Sequence, residues 1–113
     1  MDEQHADLLR RLAINDESVL ESVLRTSLHA DSTCALDAKT RAYVRLAALI
    51  ALDASPVSLH WAVAVALAAG AADDDIVDAL VTVAPIVGLA RINWAAPELG
   101  NALDCDLGAD GTR

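Results

Sequence analysis

The sequence predicts an all-α protein of about six helices, and three observations carry that expectation. Apolar residues recur at helical spacing in segment after segment, and no alternating run reads convincingly as a strand. The segments are bounded by residues that start and stop helices: Asp37, Ser55 with Pro56, Gly70, and the run Asp73 to Asp75. The composition is 55% hydrophobic yet only 3% aromatic, with no Phe, so a core must be built from Ala, Leu, Val and Ile. Closely packed helices suit such small side chains. At 113 residues the chain has the size of a single domain spanning 1–113.

Each element has a local reason. Residues 3 to 14 carry Leu8, Leu9, Leu12 and Ala13 at helical spacing, and Asn15 with Asp16 supplies a break and a cap. From there to about His29, Val19, Leu20, Val23, Leu24 and Leu28 form an apolar stripe opposite Glu17, Glu21 and Arg25. Residues 1–30 are thus expected to form an N-terminal helical hairpin. After a polar connector, His29 to Leu36, Asp37 caps a third helix that runs to about Leu52 and buries Tyr43, Leu46, Ala47 and Ile50. The Ser55 hydroxyl can accept an orphan amide while Pro56 occupies the first turn of a fourth helix, where its missing N–H costs nothing. Gly70 provides its left-handed end. Asp73, Asp74 and Asp75 place negative charge at the positive end of a fifth helix. Pro85 is expected to kink or end that helix before Gly88. A sixth helix covers about Ala90 to Leu103 with a bend at Pro97, and residues 104–113 read as a frayed, flexible acidic tail.

Charge and cysteine usage exclude several functions. A net charge of -9 argues against nucleic acid and anionic membrane as partners, because both need a cationic footprint. The N-terminal residues are acidic where a signal peptide would be basic, so a cytoplasmic location is expected. The most apolar window, 56 to 72, is interrupted by Pro56, Ser58 and His60 and is dominated by alanine, unlike a membrane span. Cys34 and Cys105 have no C-x-x-C spacing and no histidine nearby, so free thiols are expected. The aspartates at 73 to 75 complement the helix dipole, and no metal site is expected from them.

The fourth helix sets the expectation for assembly. Every residue from Trp61 to Ala69 is apolar, so the helix is apolar on all sides and a chain this small cannot easily surround it alone. A neighbouring subunit is the natural cover, held by helices 56 to 69 and 75 to 87. His60, one turn inside this helix, is the one polar group there whose presence requires an explanation.

The order L-D-A-K-T-R-A-Y-V-R-L-A-A-L-I-A from Leu36, then L-H-W-A-V-A-V-A-L-A-A-G-A-A-D-D-D-I-V-D-A-L and a later glycine, resembles the carboxymuconolactone decarboxylase and alkylhydroperoxidase D family over residues 36–100. The resemblance implies an alkylhydroperoxidase D-like helical bundle assembled as a trimer or hexamer. The redox branch carries C-x-x-C-x-x-x-H with an upstream glutamate. Here Asp53 and Pro56 stand at the cysteine positions, and no glutamate lies between Glu21 and Glu98. Thiol peroxidase chemistry, which needs a nucleophilic and a resolving thiol, is therefore not expected. The decarboxylase branch lacks the cysteine pair and keeps the histidine that His60 matches.

That resemblance implies a cofactor-independent, lyase-like protein acting on a small organic acid or lactone, by decarboxylation or a related proton transfer. His60 is the candidate acid or base. Arg41, Arg45 and Arg91 are candidate carboxylate contacts, and Asp53, Trp61 and Trp94 complete the candidate substrate-binding set. Each has a structural alternative. His60 can be a buried neutral residue satisfied by a backbone carbonyl, the arginines can form surface ion pairs, and the indoles can be packing residues. Helical geometry directs the His60 imidazole back toward the turn Asp53 to Ser58 and helix 37 to 52. The alternative for the whole chain is a non-catalytic oligomeric binding or scaffold protein of the same fold.

Overall fold

Among the described residues, 1–24 and 35–108 of the computed structural model, six helices form and no strand does. The chain divides into two compact units, Met1–Ala35 and Leu36–Arg113.

The first unit contains α1 (Glu3–Ala13) and α2 (Glu17–Leu24), packed against each other. Asp2 caps α1 by accepting from the His5 backbone N–H at 2.8 Å. Asp16 does the same for α2, accepting from the Ser18 N–H at 3.1 Å. Asn15, with φ 59, makes the left-handed turn between them, a conformation that a short polar side chain tolerates. The expected extension of the second helix to His29, most of the connector with Cys34, and residues 109–113 lie outside the described residues.

The second unit contains α3 (Ala38–Ala51), α4 (Pro56–Ala68), α5 (Asp73–Val87) and α6 (Leu89–Ala102). The starts follow the sequence. Asp37 accepts from the Thr40 N–H at 2.7 Å, and Ser55 accepts from the Ser58 N–H at 3.3 Å with Pro56 in the first turn. At α5 the cap runs the other way. Ala72 precedes the helix and has no acceptor, so Asp75 reaches back to accept from the Ala72 N–H at 3.0 Å. Asp75 also accepts from the Tyr43 hydroxyl of α3. The Ala72 N–H first, and Tyr43 second, hold the Asp75 carboxyl below its ordinary value.

Helix α3 packs on α4 and α5, and α4 and α5 both pack on α6. Leu46, Ile50, Leu59, Val63 and Ile76 are fully buried where the helices meet, and each such side chain removed from water contributes about 1.5–3 kcal/mol. Ala42, Ala62, Ala66 and Ala95 are buried beside them and allow close approach.

Several details bear on the expectations from sequence. The chain covers only part of α4, as its all-round apolar character led one to expect: Leu59, Ala62, Val63 and Ala66 are buried, while Val57, Trp61, Ala64, Leu67 and Ala68 are exposed. One helical face is enough to close this four-helix core. Helix α5 includes Pro85 and ends two residues later at Val87, immediately before Gly88. Gly88, at φ 90 and ψ 164, then ends α5 and starts α6 in a region open essentially to glycine alone. Helix α6 passes Pro97 as one element. After it, the Cys105 N–H donates to the Gly100 carbonyl at 2.8 Å. Leu107 packs so closely on Gly100 that a Cβ there would meet its Cδ1 at 2.7 Å.

Candidate functional site

The capped start of α4 places His60 just past its first turn, and the turn at Gly88 places α6 beside α4. Two polar contacts link these elements. Arg91 Nε lies 3.5 Å from Asp53 Oδ2 at one end, and His60 Nε2 lies 3.1 Å from Glu98 Oε1 at the other. Both pairs have the same separation in sequence, so the segment 53 to 60 and the segment 91 to 98 run in the same direction side by side. Seven helical residues set the two pairs roughly 10 Å apart along α6. Trp94 stands between Arg91 and Glu98, about one turn from each.

Asp53, Ala90, Arg91 and Trp94 line an open cavity of about 340 Å³. Three of the residues expected at the site are thus brought together. Arg41, Arg45 and Trp61 are not among its lining residues. Arg41 donates from Nη1 to the Leu36 carbonyl at the start of α3, and Arg45 lies half-buried further along the same helix. Trp61 follows His60 on α4 and is partly exposed.

The His60 side chain is 43% exposed, so the chain's own core does not bury it. Its ring meets Glu98 on α6 and not the turn at Asp53, because Asp53 is engaged by Arg91 and residue 60 lies on the face of α4 that meets α6. Glu98 was not among the residues singled out from sequence. Its signal was present: it is the one glutamate after Glu21, and it follows Pro97 in an otherwise mostly apolar helix.

The pairing fixes what the imidazole can do. An ionised carboxylate only accepts hydrogen bonds, so Nε2–H donates to Glu98 and the neutral ring keeps its lone pair on Nδ1. Glu98 is 21% exposed, which shields its side of the pair while leaving the histidine accessible. A histidine held in one tautomer, with its other nitrogen open, can take a proton from a bound molecule or give one to it.

Among the described residues, no group of three or more His, Cys, Asp or Glu side chains could hold a metal ion. No described helix is long and apolar enough to cross a membrane. The family model of carboxymuconolactone decarboxylases matches residues 17–99, a span that runs from α2 into α6 and contains both polar pairs. The chain belongs to the carboxymuconolactone decarboxylase family. Comparison with curated proteins and with solved structures finds no match. In this carboxymuconolactone decarboxylase family member the all-helical fold presents His60 and Glu98 across one helix pair, and Asp53, Arg91 and Trp94 at the other end of the same seam.

Proposed function

We propose that this carboxymuconolactone decarboxylase family member acts on a small organic acid or lactone by decarboxylation or a related proton transfer, as a homo-oligomer and with no cofactor. His60 is the acid or base and Glu98 holds its tautomer. Arg91 is the contact for a substrate carboxylate, and Trp94 is an apolar wall beside it.

The observation that carries this reading is the 3.1 Å contact between His60 Nε2 and Glu98 Oε1 on an accessible face. Loss of carbon dioxide leaves an electron pair on the carbon that carried it. A protonated imidazole delivers a proton there, and the carboxylate of Glu98 opposes the charge that the ring carries beforehand. In lactone chemistry the neutral ring works in the opposite sense, taking a proton through Nδ1.

The non-catalytic reading, an oligomeric binding or scaffold protein, draws on the exposed apolar side chains Val57 of α4 and Val81 and Ile86 of α5. Both readings include self-association, and they part at His60. A panel of small unsaturated acids and lactone acids, assayed for carbon dioxide release and ring opening, separates them. Turnover by the native chain, lost in a folded His60→Gln variant, is the expected result. Equal turnover in the two proteins refutes the assignment.

A further inference from the structure

The Asp53–Arg91 contact is loose for an ion pair that closes a turn. It joins one nitrogen to one oxygen at 3.5 Å, beyond ordinary hydrogen-bond length, with the side chains 44% and 52% exposed. The Arg91 side chain is 44% exposed, so its guanidinium remains accessible beside Asp53. That guanidinium, a group suited to bidentate carboxylate binding, borders a cavity lined by Trp94 and Ala90. Asp53 sits at φ 53, where the chain turns left-handed between α3 and α4, and this turn keeps its carboxylate beside Arg91.

We propose that Asp53 is an internal competitor for an anion subsite formed by Arg91 and Trp94, and that a monocarboxylate with an apolar body displaces it to bind there. The inference rests on the assignment of Arg91 as the substrate-carboxylate contact and adds how that contact is regulated. An incoming carboxylate forms two parallel hydrogen bonds to the guanidinium, and its apolar body lies against the indole. Asp53 forms one long contact and gains solvent when it leaves. Half-exposed ion pairs are weak, so removing the Asp53 charge should tighten binding by about two- to fivefold.

The test is a binding titration read by Trp94 fluorescence, in a Trp61→Phe background so that one indole reports. The probes are cyclohexanecarboxylate and the neutral cyclohexanecarboxamide, at fixed ionic strength. Saturable binding of the carboxylate is expected, tighter by about two- to fivefold in Asp53→Asn and lost in Arg91→Gln, with no such gain for the amide. Asparagine tolerates the left-handed turn, and Asp53→Gly repeats the comparison should Asp53→Asn fold poorly. Asp73→Asn makes the same charge change outside the cavity and is expected to give no gain. Unchanged or weaker binding in the Asp53 variants, binding that survives in Arg91→Gln, or an equal gain in Asp73→Asn overturns the proposal. The titration reads binding and not turnover, so its failure is distinguishable from failure of the proton-transfer assignment at His60.

Discussion

His60 Nε2 and Glu98 Oε1 lie 3.1 Å apart across α4 and α6, 38 residues apart in sequence. Acting as a unit, the two side chains should show coupled effects. His60→Gln is expected to lower kcat by about 10²–10⁴ on whichever acid is turned over, and Glu98→Ala by less. The double variant should be no slower than His60→Gln alone, because Glu98 acts through the ring. Steady-state kinetics of the three variants check this. Losses that multiply would show two independent roles.

Gly88 makes the turn from α5 to α6 with φ 90 and ψ 164, a region that side chains avoid. No neighbouring atom crowds the position, so any penalty is conformational. Gly88→Ala should destabilise the protein by about 1–3 kcal/mol in chemical denaturation. Ser55→Ala, which removes only the α4 cap, should cost about 1 kcal/mol.

Acid should weaken the fold through its caps. The Thr40 backbone N–H holds the Asp37 carboxyl below its ordinary value of 3.8, and the Ala72 N–H, then Tyr43, does so for Asp75. A carboxylate lowered in this way contributes its full stabilisation above 3.8 and loses it as pH falls through the lower folded value. Tyr43 moves the other way. Desolvation first, and its bond to Asp75 next, push the phenol above 10.0, so its contribution is present below that pH and lost as pH rises through the folded value. Thermal unfolding should show Tm falling below pH 4, less steeply in Asp37→Asn and Asp75→Asn than in the native chain.

Ala66 and Ala68 lie two residues apart on α4 but face different surroundings. Ala66 is completely buried in the chain's own core, and Ala68 is exposed. Ala66→Glu should unfold the protein, because it buries an unpaired charge. Ala68→Glu should leave the helices intact and separate the subunits if, as proposed, this face of α4 covers a second copy. Light scattering together with circular dichroism checks both. A folded native chain that is monomeric at micromolar concentration contradicts the oligomer.

Most of the fold was legible because its boundaries are local chemistry. Asp37, Ser55–Pro56 and Gly70 mark helix ends through bonds or backbone angles that involve only near neighbours, and the structure places them as the sequence indicates. The site was legible in its parts but not in its pairings. His60, Asp53, Arg91 and Trp94 all drew notice, yet nothing in a linear pattern states that α6 lies beside α4 in register. That register brings Glu98 to His60 and gives Asp53 to Arg91. The apolar continuity of α4 gave the character of its faces, and only packing shows which face the chain itself covers.

The most direct test of the proton-transfer claim is the stereochemistry of the product formed from a prochiral acid in deuterium oxide. Delivery from an imidazole held by Glu98 should place deuterium on one face of the carbon that lost carbon dioxide, in the native protein and not in His60→Gln. An equal mixture of the two faces from the native protein would mean that the proton comes from bulk water, and would contradict the proposed role of His60.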